Sequence, residues 1–409
     1  MKAEIIAVGT ELLLGEIVDT NSPYLASQLP PLGVDLYFVS TVGDNPARLV
    51  ELLGRAWERS DLILLSGGLG PTEDDITREA VARLLGEKMK VDPGLEKWLR
   101  EVFSSRGLPM PPRNIKQAAL IPSAVPLPNP MGTAPGWWVE RESRLLVALP
   151  GPPNELQGMW EKEVRPRLKA RLGQEVILTR TLKTFGIHEA ALDEALAPFL
   201  SSTQPTIGIY VRPDGIHVRL AAKGSPLEAR QALERGEAEV RLVLGEKVWG
   251  VDGDTLEGVV GRLLVERGLT LATMESLTGG LLAHIITNVP GSSRYFLGGI
   301  VAYSNEAKIQ HGVDRGLIEQ FGAVSPEVAQ AMASAVRRDL RADVGLATTG
   351  VAGPDPLESR APGTVHIGLD VKGKESALSL TYLFDRLRIK RMAVNAVLFH
   401  LRRALIDAG

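Results

Sequence analysis

The first 85 residues alternate short, continuous apolar runs with amphipathic stretches. The runs AEIIAV, VDLYFVSTV and DLILLSGG predict buried strands. Between and after them, the predicted helices are SPYLASQLPPLG, which ends at a glycine, NPARLVELLGRAWERS, which has an asparagine cap and an early proline, and TREAVARLLG. Continuous apolar strands separated by amphipathic helices are typical of a mostly parallel, doubly wound α/β sheet. A Pro-rich segment and a further strand, RLLVALPG, extend this region to about residue 167.

Residues 175–245 have a different pattern, which predicts a small α+β domain. A strand (EVILTRTLKTFG) and a helix (HEAALDEALAPFL) precede a hairpin around Pro213-Asp214-Gly215, and a charged helix beginning at Ser225-Pro226 follows. This βαββα order is KH-like. KH domains that hold RNA use a GXXG loop, which is missing here, so we expect a structural or linking role.

The remaining chain again alternates strands and helices. Strands are predicted at 269–274, 297–303, 343–349, 363–371 and 376–384, and LRIKRMAVNAVLFHLRRALI predicts a final helix. A chain of 409 residues exceeds what one hydrophobic core usually supports. We therefore predict three domains, at 1–167, 168–248 and 249–409.

Composition narrows the classes of protein. A net charge of −3 with 23% charged residues describes an ordinary soluble surface, and nucleic acid and membrane are not expected partners. Two long charge-free stretches, 117–139 and 276–293, contain prolines and glycines that disfavour a membrane-spanning helix. Glu4 interrupts the first apolar run, so we expect no signal peptide and a cytoplasmic location.

The residue counts add two points about chemistry and origin. The absence of cysteine excludes disulfides, thiolate zinc sites and cysteine nucleophiles. Abundant arginine relative to lysine, with few Asn, Gln and Met, fits a thermophile, although genomic base composition also explains the arginine bias.

A Gly-rich segment, SGGLGPTEDDIT (66–77), lies between a predicted strand and a helix, where open α/β sheets bind ligands. Its glycines allow the backbone to approach a phosphate. Asp74 and Asp75 either complement the helix dipole or hold a Mg²⁺-type ion beside a pyrophosphate. Two further polar segments, GTELLLGEIVDTN (9–21) and TVGDN (41–45), end neighbouring strands.

These three segments resemble the molybdopterin-binding-like domain of the CinA family. Relatives of that domain bind molybdopterin, and in CinA proteins the resemblance implies ADP-ribose pyrophosphatase activity with a divalent metal (Mg²⁺ or similar). The implied metal ligands are Asp44 and Asp74, then Asp75. The implied ligand contacts are Thr10, Glu11, Asn21, Gly67, Gly68, Gly70 and Thr72. Asp19 is expected to cap a helix, and the sequence indicates no general base.

The segment TMESLTGGLLAH (273–284) follows another apolar run and raises two interpretations of Ser276. The nucleophile-elbow pattern G-x-S-x-G is absent, because Met274 and Thr278 stand where glycines would be. Ser276 therefore suits a helix cap or a nucleophile with a base from elsewhere. None of the six histidines is a convincing partner. Lys308 is the remaining common activator, and by itself it also reads as a solvated helix lysine.

The full set of C-terminal motifs is similar to the PncC-like nicotinamide mononucleotide deamidase domain. The matching segments are ESLTGG, PGSSRYFLGGIVAYSNEAK, AVSPEVAQAMA, ATTGVAGPD, GTVHIGL and FDRLRIKR. Two positions depart from the family pattern: Leu277 replaces a frequent cysteine, and Phe384 replaces the glycine of a GDR motif.

The resemblance implies that Ser276 attacks the carboxamide and that Lys308 transfers protons without any cofactor. Ser293 and Tyr303 are implied to relay protons or to hold the lysine, and backbone N–H groups near Thr278, Gly279 and Gly280 to stabilise the oxyanion. The implied phosphate or ribose contacts are Thr349, Gly350, Gly353 and Arg386.

We therefore expect a bifunctional enzyme of pyridine nucleotide recycling that forms a homodimer. It would convert nicotinamide mononucleotide to nicotinate mononucleotide and ammonia, and ADP-ribose to AMP and ribose 5-phosphate. The alternatives are a molybdopterin-binding protein with a decayed C-terminal domain and a non-catalytic competence or scaffold protein.

Overall fold

The computed structural model describes residues 1–407. Contacts within the chain define two compact units, one of Met1–Leu178 with Ala222–Ala232, and one of Thr179–Ala221 with the chain from Leu233 onward. The three predicted domain boundaries stay predictions. No helix among residues 1–407 is long and apolar enough to cross a membrane.

The first unit is built on a six-stranded sheet. Its chain-order strands are β1 (Lys2–Val8), β2 (Asp35–Val42), β3 (Leu62–Ser66), β4 (Lys90–Val91), β5 (Ala119–Leu120), β6 (Ala124–Leu127), β7 (Gly136–Arg141) and β8 (Arg144–Leu149). The large sheet has the order β2-β1-β3-β8-β7-β6, and β4 pairs with β5 separately. Strands β2, β1, β3 and β8 are parallel to one another, whereas β7 is antiparallel to both of its neighbours, β8 and β6. The predicted mostly parallel sheet is confirmed.

Helices cover both faces of this sheet. They are α1 (Thr10–Leu13), α2 (Asn21–Gln28), α3 (Pro46–Arg59), α4 (Thr77–Leu85), α5 (Pro93–Ser105), α6 (Pro153–Met159) and α7 (Arg165–Arg171), with a π-helical turn at Trp160–Val164 and 3-10 turns at Pro30–Leu32 and Pro112–Ala118. Ile6 and its face pack with Leu53 of α3, whereas Ile5 and the opposite face pack with Leu25 of α2. Because both faces of the central strands β1, β3 and β8 are buried, these strands are largely apolar, whereas the edge strand β2 is partly exposed.

The predicted βαββα segment forms β9 (Val176–Thr184), α8 (Glu189–Leu200), β10 (Thr206–Arg212), β11 (Gly215–Gly224) and α9 (Pro226–Leu244). Strands β10 and β11 form the expected hairpin, in which Arg212 pairs with Gly215. A 3-10 turn at Gly245–Lys247 leads into β12 (Val248–Val251), a strand that the sequence analysis missed. Strand β12 pairs antiparallel with β9 and completes the order β10-β11-β9-β12.

The C-terminal part of the second unit holds a five-stranded sheet in the order β14-β13-β15-β16-β17. Its strands are β13 (Leu271–Glu275), β14 (Phe296–Val301), β15 (Val344–Gly350), β16 (Thr364–Val371) and β17 (Lys374–Thr381). Its helices are α10 (Leu256–Glu266), α11 (Leu281–Thr287), α12 (Asn305–Gln310), α13 (Arg315–Phe321), α14 (Pro326–Asp339) and α15 (Arg386–Asp407), with a 3-10 turn at Ser292–Arg294. Strand β13 is parallel to β14 and β15, so the loops after these three strands lie at one edge.

Candidate functional sites

Four parallel strands of the first unit place their following loops around one cleft. The cleft has a volume of about 440 Å³. Because β1, β2, β3 and β8 run in the same direction, their carboxyl ends meet at this edge of the sheet. The predicted site residues that line the cleft are Glu11, Asp44, Gly67, Gly68, Gly70, Asp74 and Asp75.

The Gly-rich loop is held in place by the strands beside it. Gly67 has a φ of 103°, and a Cβ there would lie 2.3 Å from the Val8 carbonyl oxygen, so only glycine fits. The Gly67 N–H donates to the Leu149 carbonyl (3.0 Å), and the Gly67 carbonyl accepts the Thr77 hydroxyl (2.8 Å). These bonds fix a backbone that faces the cleft.

Two other predicted residues, Thr10 and Asn21, connect the loops at this edge. Thr10 and Asp44 bond reciprocally: the Thr10 N–H donates to Asp44 Oδ2 (2.8 Å), and the Asp44 N–H donates to Thr10 Oγ1 (3.0 Å). Asn21 is buried, and its Nδ2 donates to Ser66 Oγ (2.8 Å) and to the Gly151 carbonyl (2.7 Å). Asn21 Oδ1 has no hydrogen-bond partner among the described residues.

The predicted metal ligands share the cleft but differ in their surroundings. Asp75 Oδ2 accepts the N–H (2.8 Å) and the hydroxyl (2.5 Å) of Thr72, so these two residues bind each other. Asp74 is exposed. Within residues 1–407, no three His or carboxylate side chains are grouped to hold a metal ion. The structural role of Asp19 is confirmed, because it accepts the Ser22 N–H (3.0 Å) at the start of α2.

The sequence analysis missed Arg78. This fully buried side chain donates to the carbonyls of Leu69 (2.7 Å) and Pro135 (3.1 Å), two segments beside the cleft. Burial lowers the pKa of its guanidinium to about 10. Arg78 lies in the first turn of α4, where no sequence motif marks it, and only tertiary packing reveals its role in holding both segments.

In the second unit, the turn after β13 brings Ser276 and Lys308 together. Lys308 Nζ donates to Ser276 Oγ at 3.2 Å, although the two residues lie 32 positions apart. Nζ also donates to the carbonyls of Tyr303 (3.2 Å) and Ser304 (3.5 Å). Lys308 is on α12, whose start is capped by the Ser304 hydroxyl, which accepts the Ala307 N–H (3.1 Å).

Lys308 is a buried amine. Its side chain is only 2% exposed. Burial lowers the pKa of Lys308, and the carboxylates of Glu358 and Glu306 partly oppose that shift. A lysine in such a place holds a larger neutral fraction than a solvated one, as a proton acceptor requires.

Glu275, which the sequence analysis left without a role, organises the turn beside Ser276. It is 1% exposed, and its carboxylate accepts the Thr278 hydroxyl (2.6 Å) and the N–H groups of Gly280 (3.0 Å), Leu282 (2.9 Å) and Ala283 (2.8 Å). Helix α11 begins only at Leu281, so the interpretation of Ser276 as its cap is wrong, and Glu275 satisfies the first N–H groups instead. The sequence signal that could have identified this role is an acidic residue at the end of a strand, directly before a Gly-rich helix start.

The hydrogen bonds of this turn also determine which of its backbone N–H groups are left without an acceptor. Glu275 takes the Gly280 N–H, and the Ser276 N–H donates to the Thr348 carbonyl (2.9 Å). Thr278 Oγ1 also lies 2.6 Å from Thr348 Oγ1. Among the described residues, no acceptor engages the N–H groups of Leu277, Thr278 or Gly279.

The other predicted residues of this unit lie at or near the ends of β15 and β14. Arg386 donates to the Gly353 carbonyl (2.7 Å) and lies 3.5 Å from the Tyr303 hydroxyl, which places the loop after β15 beside the strand end of β14. Thr349 is buried and donates to the Ala323 carbonyl (2.8 Å), and Gly350 ends β15. Ser293 precedes β14, at the opposite end of that strand from Tyr303, so one chain does not bring it to Ser276.

Comparisons with known proteins match the whole chain. Three family models match successive segments: "Probable molybdopterin binding domain" over 4–170, "Damage-inducible protein CinA KH domain" over 179–250 and "CinA C-terminal domain" over 253–405. A competence-damage inducible protein of Moorella thermoacetica is 44% identical over 411 residues, covering 99% of both chains. That of Caldicellulosiruptor saccharolyticus is 42% identical, covering 100% of both. The chain belongs to the CinA family.

A solved structure is also similar to part of the chain. The protein CinA from Thermoplasma acidophilum is 31% identical, covering 41% of this chain and 98% of its own, with a TM-score of 0.39.

The two departures from the CinA family pattern are accommodated locally. Leu277 is buried in the core of the second unit. Phe384, in place of a glycine, stacks with Tyr382 at 6.3 Å between ring centroids and lies under the Arg388 guanidinium at 3.8 Å. Both contacts lie in the segment around Arg386, the first residue of α15.

Proposed function

We propose that the C-terminal domain hydrolyses the carboxamide of nicotinamide mononucleotide to nicotinate mononucleotide and ammonia. The observation that carries this proposal is the buried pair of Ser276 and Lys308, with Nζ 3.2 Å from Oγ. A serine with an adjacent lysine of lowered pKa is a recurrent nucleophile–base arrangement in amide hydrolysis.

In this mechanism, Ser276 Oγ forms a bond to the carboxamide carbon while Lys308 accepts the hydroxyl proton. The negative charge on the carboxamide oxygen is stabilised by backbone N–H groups of the turn. The free donors at Leu277, Thr278 and Gly279 suit this role. The carbon–nitrogen bond then breaks, and ammonia leaves with the proton from Lys308. Water hydrolyses the resulting ester, and its proton returns Ser276 to the hydroxyl form.

We assign the substrate's phosphate and ribose to the loop after β15 and to Arg386. Arg386 supplies a permanent cation, and its bond to the Gly353 carbonyl fixes it against the loop after β15. Tyr303 is 64% exposed, and its hydroxyl near Arg386 suits contact with the substrate. Ser293 reaches this site only if a second copy of the chain supplies it, which is compatible with the proposed homodimer.

The test is incubation of the purified chain with nicotinamide mononucleotide, with both ammonia and nicotinate mononucleotide measured. Ser276→Ala should abolish both products. Ser104→Ala, an exposed serine of α5, is the matched control and should retain them. An unreactive wild-type chain, or an active Ser276→Ala variant, would contradict the proposal.

For the first unit, we propose cleavage of ADP-ribose to AMP and ribose 5-phosphate with a divalent ion. The cleft combines a fixed Gly-rich backbone with several carboxylates, and a pyrophosphate would be repelled unless cations offset that charge. Mg²⁺ often binds through one or two carboxylates plus substrate phosphates. The described residues contain no three-carboxylate cluster. The carboxylates of the cleft therefore fit an ion that binds together with the substrate.

Asp44 and Asp74 would hold that ion, which when bound neutralises the pyrophosphate charge. Asp75, tied to Thr72, would shape the loop more than ligate. The test is release of AMP from ADP-ribose with and without Mg²⁺. Release that is independent of any divalent ion would contradict the proposed metal requirement.

A further inference from the structure

The loop after β8 brings a carboxylate into the cleft that no sequence motif singled out. Glu155 is in the first turn of α6 and lines the same cleft as Gly67 and Asp74. Strand β8 is parallel to β3, so this loop leaves the sheet at the same edge as the Gly-rich loop. The half-buried carboxylate is therefore placed beside the proposed pyrophosphate position.

The Glu155 carboxylate is held by a buried asparagine. Asn129, only 1% exposed, donates from Nδ2 to Glu155 Oε2 (2.6 Å) and to the Ala134 carbonyl (3.0 Å). Its Oδ1 accepts the N–H groups of Gly132 (2.9 Å) and Met131 (3.2 Å). The amide thus makes four bonds that fix its orientation, and Oε2 of Glu155 is fixed with it.

The neighbouring backbone leaves room for this carboxylate. A Cβ on Gly132 would lie 2.1 Å from Glu155 Oε2, so any larger residue would displace it. Glu155 Oε1 has no hydrogen-bond partner among residues 1–407. One oxygen is therefore held by the protein, and the other remains open to accept a proton.

The other carboxylates of the cleft are less suited to that task. The Asp44 carboxylate accepts the Thr10 N–H of a neighbouring loop, and the Asp75 carboxylate accepts the Thr72 N–H of its own loop. Asp74 is exposed, and within residues 1–407 no hydrogen bond orients the carboxylate of Glu11, which lies on the four-residue helix α1. A general base must be held within hydrogen-bond reach of the proton it removes.

We propose that Glu155 is the general base of ADP-ribose cleavage, an inference that rests on the proposed function of the first unit. As the water oxygen bonds to phosphorus, the bridging phosphorus–oxygen bond breaks. Glu155 Oε1 takes the water proton, and the leaving phosphate oxygen keeps the electron pair of the broken bond. The products are AMP and ribose 5-phosphate.

The test compares Glu155→Gln with wild type and with Glu163→Gln, a control outside the cleft. A Gln side chain keeps an oxygen that accepts the Asn129 amide but cannot take a proton. We expect kcat for ADP-ribose to fall by roughly 10²–10⁴-fold, KM and the affinity for Mn²⁺ to change little, and the acidic limb of the pH–rate profile to disappear. Formate should partly restore the rate of Glu155→Ala by replacing the carboxylate.

Three outcomes would overturn the assignment. A wild-type chain that releases no AMP overturns the proposed function and the assignment together. An active wild type with an equally active Glu155→Gln overturns the assignment alone. Weaker Mn²⁺ binding by Glu155→Gln, without formate rescue of Glu155→Ala, would make the residue a metal ligand.

Discussion

The replacement of Lys308 tests the proposed deamidase most directly. Nζ is within hydrogen-bond reach of Ser276 Oγ, so its removal deletes the only proposed base of the pair. Loss of general acid–base catalysis typically costs 10²–10⁴-fold, which corresponds to about 2.7–5.4 kcal/mol of activation free energy. We expect Lys308→Ala to lower kcat by this amount and to leave KM nearly unchanged, because phosphate binding is assigned to the loop after β15 and Arg386.

Lys308→Arg is the informative companion. A guanidinium stays protonated at any working pH, so it cannot accept the serine proton. The variant should remain as slow as Lys308→Ala in ammonia release. If Lys308→Arg kept near-full activity, the residue would act as a cation and the reasoning would be refuted.

The pH dependence gives a second test with a defined sign. Burial lowers the pKa of Lys308, so between that lowered value and the ordinary lysine value of about 10.4 the unfolded chain binds more protons than the folded chain. The contribution of Lys308 to the free energy of unfolding therefore rises with pH across this window. The Tm of Lys308→Met minus the Tm of wild type should be largest below the lowered pKa and should decrease progressively toward pH 10. A difference in Tm that does not change with pH would contradict the lowered pKa. The pH profile of the wild-type kcat should also show an acidic limb that the Lys308 variants lack.

Three further predictions concern the two sites. Deamidation should survive EDTA, because its bond-making and proton transfer are assigned to Ser276, Lys308 and backbone groups, and loss that zinc restores would contradict this. Asp74→Asn or Asp44→Asn should abolish AMP release from ADP-ribose and spare ammonia release, and a folded variant that loses both would refute independent sites. Glu275→Gln should lower the free energy of unfolding by about 1–3 kcal/mol, since four donors lose a charged acceptor, and urea unfolding that matches wild type would contradict its structural role.

The sequence determined the architecture because local patterns carry that information. Continuous apolar runs predicted β1, β2 and β3, and the Asn45 cap with Pro46 predicted the start of α3, where Asn45 accepts the Arg48 N–H (3.0 Å). Strand β12 was missed because four residues carry little periodicity, and its identity depends on pairing with β9.

The sites depended differently on sequence and tertiary structure. The motifs indicated Ser276, Lys308 and the cleft loops by resemblance, but no local pattern could show that Nζ and Oγ meet. No sequence motif singled out Glu275, at the end of β13, or Glu155, in the first turn of α6. Only packing shows that one binds the first N–H groups of α11 and that the other is held by Asn129 in the cleft. Burial and long-range hydrogen bonds, which set pKa and orientation, arise only when distant segments fold together.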